Sequence, residues 1–409
     1  MKINISPEFN KFPWSYFTLS LVLLLIGMLT LYSISYQEEF SLANSFIKQS
    51  IFIIPALFLF VIALFLPRTL IHKYAYIVFI IGIISVIIPY SLPLRAGTHR
   101  WISFGLPFAI QPSEFVKIIC IVAVARYLSD KKNAQMKSIT ALIIPFLIML
   151  IPTLIVLKQP DLGTAVVMMI PIIPMLYWAG VRPYHLFLIG APLISILAAF
   201  HPLAFTIWGM VLGIILYLSK PKFLIGAILY FTNIFLGLLS PILWNALAPY
   251  QQGRILTLFN PDRDPYGAAY QILQSITAIG SGGMWGKGWI EGTQTHLKFL
   301  PVQESDFILS VIGEELGFAM IAFILFIFGA LIIKTIKFSI SSNDRFSALV
   351  LIGIGTIFFS HVFVNTAMTV GLIPVKGLPL PFISAGGSFL LSCFFMIGLV
   401  MNFSRDYNA

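Results

Sequence analysis

Runs of about 20 apolar residues follow one another along almost the whole of this chain, and each is the length a helix needs to cross a bilayer. Of 409 residues, 59% are hydrophobic and 10% charged, whereas a soluble domain carries about 25% charged residues. No single core could hide that much apolar surface, so the solvent is lipid. The strands of a membrane barrel would alternate apolar and polar positions, and these runs do not. The expectation is an all-α fold: a polytopic transmembrane helical bundle of about 10–12 helices, forming one integral membrane domain over residues 1–409. The spans fall at 14–35, 48–66, 74–92, 113–129, 139–157, 163–180, 183–200, 203–218, 223–243, 307–334, 346–369 and 386–403.

An even number of spans puts both termini on one side. The connectors holding Arg68/Lys73, Lys131/Lys132/Lys137, Arg182, Lys220/Lys222 and Lys334/Lys337/Arg345 share the side of the N-terminus, which the positive-inside rule makes cytoplasmic. The net charge of +10 therefore reads as topology and attraction to anionic lipid rather than nucleic-acid binding. An anionic substrate fits it as well. Arg95, Arg100, Arg254, Arg263, Lys287 and Lys298 lie on the opposite side, where topology does not explain them. Residues 1–13 are largely polar and the first apolar run is too long for a signal peptide, so it is read as a first transmembrane helix. Cys120 and Cys393 both sit in apolar runs, where a structural role is expected.

Two outer connectors stand apart. One covers 91–112; the other, a large extracytoplasmic loop at 244–305, is far longer than an ordinary connection. Glycine clusters in the second suit backbone that lines a cavity or closely approaches a ligand.

Polar residues gather in and beside these connectors. Glu114 and Lys117 follow Gln111-Pro112-Ser113 and share one helix face. Glu114 in a first turn suits the helix dipole, but both charges then enter an apolar span, where charge is costly and usually functional. Trp101 can anchor at the interface or stack on a sugar. Lys158 and Asp161 flank a helix junction, where Asp161 can cap the next helix. The two either pair or line a cavity. Asp262 and Asp264 could offer oxygens to a divalent cation, although prolines on both sides favour a simple turn. Arg254, Arg263, Lys287 and Lys298 form a basic rim suited to pyrophosphate. Asp306 lies at the expected start of a span, either as a cap or as a desolvated carboxylate able to act as general base. At about 100° per residue, Glu314 is about 80° round from Asp306 and Glu315 about opposite, so one of them packs against another helix. The segment from Gly371 to Ser388 is too rich in proline and glycine for a regular helix and reads as re-entrant. It brings Lys376 and Ser384.

Together the stretches GTHRWISFG…QPSEFVK, KQPDLGTA, DPYGAAYQILQS, AIGSGGMWGKGWIEGTQTHLKFLP, SDFILSVIGEELGF and GLIPVKGLPLPFISAGGS resemble the SEDS family (shape, elongation, division and sporulation), which includes RodA and FtsW. GTQ after GKG is closer to the RodA branch, and the lysine of PVKG is closer to FtsW; RodA is favoured. The resemblance implies a peptidoglycan glycosyltransferase for cell elongation and shape. It would use lipid II on the outer face of the bacterial cytoplasmic membrane, with a class B penicillin-binding protein and other elongation-complex membrane proteins as partners. The family's essential aspartate matches Asp306, with Ser305 in place of a threonine. Its outer-loop tryptophan matches Trp101, and its QPSE glutamate and following lysine match Glu114 and Lys117. Members have about ten spans, so about forty residues near 200–240, enough for two helices, count as an extra helical pair.

The expected reaction is an inverting transfer in which Asp306 takes the proton of the acceptor 4-hydroxyl and undecaprenyl pyrophosphate leaves. Substrate-binding candidates are Arg100, Trp101, Glu114, Lys117, Lys158, Asp161, Lys298, Lys376 and Ser384. Arg100, Lys117, Lys298 and Lys376 are the cations to stabilise the leaving group. A divalent cation, Mg or Mn, could share that work, but no closed ligand set is visible. A lipid II flippase is the alternative, because broken helices and intramembrane charges also suit transporters; a scaffold for the penicillin-binding protein is a third reading. The polar clusters concentrate on the outer side, which favours the polymerase.

Overall fold

The computed structural model describes residues 12–405 except 37–40, 42–43, 94–96, 104–108, 132–138, 220–222, 261–263, 265–266 and 268. Arg95, Lys132, Lys137, Lys220, Lys222, Asp262 and Arg263 lie outside the described residues. Among the described residues the chain is helices and turns, with one isolated bridge between Ile102 and Ile110. The helices are α1 Trp14–Ser35, α2 Ser45–Phe65, α3 Arg68–Ile87, α4 Ser113–Asp130, α5 Ile143–Lys158, α6 Leu162–Met169, α7 Ile172–Trp178, α8 Pro183–Ala198, α9 Pro202–Ser219, α10 Phe223–Leu238, α11 Ser240–Asn245, α12 Pro249–Phe259, α13 Tyr270–Gly282, α14 Thr293–His296, α15 Ile308–Ser341, α16 Arg345–Thr369 and α17 Gly387–Phe403.

Six of these (α1, α2, α3, α9, α15 and α16) are long and apolar enough to cross a membrane. Shorter apolar helices fill the other expected spans, apart from α4, which carries Glu114, Lys117, Arg126 and Asp130. The sixth run is split into α6 and α7, with a break at Ile170–Pro171, because a proline cannot donate into the preceding turn. The protein is thus a helical membrane bundle.

Lipid contact and packing divide the faces. On α3, Ile77, Ile80, Ile81 and Ile84 are all more than half exposed, a stripe that water would not tolerate. Helices α16 and α17 are buried on nearly every side and form the centre. Burial of apolar surface does not drive helices together within lipid, so close approach through small residues matters. A Cβ on Gly398 of α17 would stand 2.6 Å from Phe60 O of α2, and one on Gly27 of α1 2.6 Å from Ile383 Cα. Caps fix two entries: Asn44 accepts from Phe46 N and Ile47 N, and Asp344 from Phe346 N and Ser347 N. The helical pair expected near 200–240 exists as α9 and α10. With α8 it forms a satellite cluster around Leu188, Ala191, Leu212 and Leu216, in which Ser195 Oγ donates to Asn233 Oδ1 and accepts from Trp208 Nε1.

Two expectations need correction. The connector at 244–305 is not a plain loop, for it holds α12, α13 and α14 and the end of α11. Of its glycines, Gly282, Gly286 and Gly292 approach residues 313–315 of α15. The span after it begins at Ile308, with Phe307 as its N-cap and no side-chain cap. Asp306 therefore lies in the turn before the helix and is not its N-cap residue, because residues 301–307 form consecutive turns.

Candidate functional site

Asp306 is half-buried at the mouth of the bundle, and the backbone around it is held from three directions. Its N–H donates to Val302 O at 3.2 Å. Its carbonyl accepts from Asn365 Nδ2 of α16 at 2.9 Å, and the same amide donates to Leu378 O at 2.8 Å. Ser384 Oγ donates to Ser305 O at 2.5 Å and accepts from Leu380 N at 2.8 Å, while Ala385 N donates to Glu304 O at 2.8 Å. On the carboxylate itself, Ser305 Oγ donates to Oδ1 at 3.0 Å. Gly377, at φ +64°, lies so close that a Cβ there would stand 3.3 Å from Oδ2. The re-entrant segment expected from its prolines and glycines is thus the wall against which the carboxylate rests, and Lys376 stands next to Gly377 in it. Ser384 is buried and bonded on both sides, which makes it a brace for the Asp306 turn.

A second brace joins distant loops. Arg100 Nε donates to Gln159 O at 2.9 Å, its guanidinium also donates to Pro160 O, and Nη1 lies 3.7 Å from Asp161 Oδ1. Asp161 caps α6 through Thr164 N at 3.2 Å and accepts from Gln111 Nε2 at 2.9 Å. The cap is as expected, but the partner is Arg100 and not Lys158, which is exposed at the end of α5. The planar guanidinium suits two adjacent carbonyls and a carboxylate at once, which an ammonium does not. One residue beyond the start of α6, Gly163 leaves room for Lys376 O, which would stand 2.6 Å from a Cβ there. The Arg100–Asp161 corner and the Asp306 wall are therefore in direct contact.

Below them, within the bundle, lies a closed polar group. Lys117 Nζ donates to Glu114 Oε2 at 2.7 Å, sits 3.0 Å from His361 Nε2, and lies 4.9 Å from the Phe389 ring centroid. Glu114 and Lys117 are both buried. His361 Nδ1 lies 3.1 Å from Pro379 O. A carbonyl only accepts, so Nδ1 carries the proton and Nε2 accepts from Lys117. His361 and Asn365 are one turn apart on α16, and together they bind two residues of the re-entrant wall, Leu378 and Pro379, to the bundle and to Asp306. Sequence reasoning passed over both. The signal was present, since a histidine and an amide inside an apolar span demand partners.

Glu314 and Glu315 are fully buried near the N-terminal end of α15, and neither faces Asp306. Glu314 accepts from Lys287 Nζ at 2.7 Å, Gln294 N at 2.9 Å, Thr295 N at 3.1 Å, and the hydroxyls of Thr293 and Thr295 at 3.1 and 3.0 Å. Glu315 accepts from Ser33 Oγ of α1 at 2.7 Å and has His296 Nε2 at 3.4 Å. That meets the expectation that one glutamate packs against another helix. Two residues on, Gly317 leaves the helix at φ 77°, and the freed backbone groups are taken by the glycine loop. Lys287 N and Gly288 N donate to Glu314 O and Glu315 O at 2.9 and 3.0 Å; Phe318 N and Ala319 N donate to Gly283 O and Met284 O at 3.0 and 3.1 Å. A kink with its bonds replaced in this way is the form in which irregular backbone is tolerated at membrane depth. Lys287 is thus engaged with Glu314 rather than left on a rim.

Of the remaining candidates, Lys298 is exposed in the 244–305 connector with φ +57°, and Trp101 is half-buried in the first connector. Among the described residues, no group of three or more His, Cys, Asp or Glu converges as metal ligands.

Comparison with known proteins places this geometry in context. The family model of cell cycle proteins of the FtsW/RodA/SpoVE type matches residues 13–207 and 203–409. The chain is 34% identical over 327 residues to the protein named probable peptidoglycan glycosyltransferase FtsW of Trichlorobacter lovleyi, covering 80% of this chain and 73% of that one. It is 33% identical over 330 residues to peptidoglycan glycosyltransferase MrdB of Escherichia coli K12, covering 80% and 76%. In fold it matches a chain from a solved peptidoglycan synthase complex with a TM-score of 0.71 and 23% identity, over 97% of this chain and 98% of that one.

Proposed function

The chain belongs to the FtsW/RodA/SpoVE family of cell cycle proteins, and on that premise we propose that it is a peptidoglycan glycosyltransferase that polymerises glycan strands from lipid II. The observation that carries the reading is the framing of Asp306. A residue whose carboxylate is half-exposed at the mouth of a membrane bundle has its backbone held from the 302–305 turn, from α16 and from the re-entrant wall, while Ser305 Oγ and Gly377 flank the carboxylate itself.

A general base must hold a fixed position within hydrogen-bond reach of the proton it takes. Asp306 takes the proton of the acceptor sugar's 4-hydroxyl. The resulting oxygen attacks the anomeric carbon of the lipid-linked donor from the face opposite the pyrophosphate, and undecaprenyl pyrophosphate departs with the bonding electrons. Negative charge grows on that leaving group, so cations placed before the reaction lower the barrier. Lys376, next to the wall that touches Asp306, is the first of these; Lys158 and Lys298, both exposed, draw the diphosphate in from outside. Arg100, Asp161, Glu114, Lys117 and Ser384 act as positioning residues, since their polar atoms are engaged with the protein. Trp101 offers a face for a sugar ring.

The site opens to the outer face of the cytoplasmic membrane and both termini lie inside, by the charge of the connectors. The GTQ motif at 292–294 supports an elongation role. A class B penicillin-binding protein receives the strand for cross-linking, alongside other membrane proteins of the elongation complex. Helices α9 and α10 are an addition to the family's bundle.

The test is labelled lipid II given to the purified protein, alone and with its penicillin-binding partner, with products resolved on a gel. A ladder of glycan polymers is expected. No ladder, together with transbilayer movement of lipid II in liposomes, would replace the polymerase with a flippase; neither activity would leave a scaffold.

A further inference from the structure

Helices α1 and α15 run antiparallel, joined by Ser33–Glu315 at one end and Tyr16–Thr335 at the other, where Tyr16 Oη and Thr335 Oγ1 lie 2.8 Å apart. From Asp306 to Lys334 the chain climbs about 40 Å at 1.5 Å per helical residue. The far ends of the two helices therefore lie at the membrane face opposite the catalytic one. There they enclose a cavity of about 300 Å³, lined by Phe12, Pro13, Trp14, Ser15, Lys334, Lys337 and Phe338.

Its chemistry is one-sided. Among the described residues, two ammonium groups line it and no carboxylate does. Lys334 Nζ donates to Ser15 Oγ at 2.8 Å, a neutral partner, and forms no ion pair with the described residues. Lys337 is exposed and makes no hydrogen bond or ion pair with the described residues. A third cation stands close by, since the Arg405 guanidinium lies 5.9 Å over the Phe12 ring. Asp344, the nearest acidic residue along the chain from Lys337, is turned onto its own helix, where it accepts from Phe346 N, Ser347 N and Ser347 Oγ.

The other lining is aromatic, and Trp14 sits where indoles anchor helices at the bilayer surface. From Ser15 an exposed stripe continues along α1 through Thr18, Val22, Leu25 and Leu29. The spacing of three and four residues keeps them on one face. An anion pocket that runs on into an apolar stripe has the shape of a headgroup with its acyl chain.

We propose that this cavity binds the phosphate of an anionic phospholipid in the leaflet opposite the catalytic face, with one acyl chain along α1. The site is remote from Asp306 and is independent of the reaction assigned to it.

Native mass spectrometry of the detergent-purified protein, titrated with phosphatidylglycerol and separately with phosphatidylethanolamine, tests it. Wild type should retain phosphatidylglycerol preferentially. Lys334→Ala/Lys337→Ala should lose that affinity by about 30-fold, the combined contribution of two lysines at a bilayer surface, and Lys334→Arg/Lys337→Arg should keep it. Inorganic phosphate alone should not displace the lipid. Equal retention by the alanine variant and wild type, with both monodisperse on size exclusion, would overturn the proposal. So would displacement by inorganic phosphate, which would leave an anion site without lipid.

Discussion

Replacing Glu314 by alanine should release residues 292–296 of the 244–305 connector while leaving the bundle folded. The carboxylate has no exposed surface and accepts from five donors. Truncation leaves the N–H groups of Gln294 and Thr295 without acceptors, and each such loss costs about 1–3 kcal/mol. Lys287 is 28% exposed and regains water, so it adds little. A total of about 3 kcal/mol corresponds to about a 100-fold rise in the open population of that segment. The glycine part of the loop keeps its four backbone bonds to the kinked stretch of α15. Hydrogen–deuterium exchange should therefore show a gradient: much faster exchange at 292–296 and little change at 283–288 and in α16. Glu314→Gln retains one acceptor and should fall between. Unchanged exchange at 292–296, or a uniform rise that includes α16, would refute the view of Glu314 as the local clamp of this loop.

Other substitutions probe the frame of Asp306 and the buried polar group. Lys117→Met should destabilise the protein by about 3–5 kcal/mol by leaving Glu114 charged and unpaired; adding Glu114→Gln should recover most of the thermal stability without restoring polymer synthesis. Asn365→Ala removes the bonds to Asp306 O and Leu378 O. It should cut polymer yield by about tenfold or more, at about 1 kcal/mol per bond, with an unchanged size-exclusion profile. Gly317→Ala forces a side chain into a left-handed conformation costing about 1–2 kcal/mol and against Gly286 N, so the melting temperature should fall.

The spans were legible because about 20 successive apolar residues leave few other structures open. What the sequence concealed were contacts between segments far apart in the chain. In the sequence Asp161 can either pair with Lys158, three residues away, or line a cavity with it, whereas the structure brings Arg100 to it from a different connector. His361 and Asn365 were lost inside an apolar run, though their partners are Lys117, Asp306 and the carbonyls of Leu378 and Pro379. Helix α13 escaped notice because the side chains it buries include the small Ser275, Ala278 and Gly282, which give a weak periodic signal. Ser384 stands among the substrate-binding candidates of the sequence. Its bonds to Ser305 and Leu380 depend on a fold of the re-entrant segment that composition does not specify.

The central claim is that Asp306 is the base of a glycan polymerase, and the most direct measurement compares polymer synthesis from labelled lipid II by wild type and Asp306→Asn. The side chains are nearly isosteric, so both proteins should fold alike, while the amide cannot take a proton at neutral pH. The account predicts a polymer ladder from wild type and none above background from the variant, with matched melting temperatures. Equal ladders from both would contradict it and remove Asp306 from the chemistry.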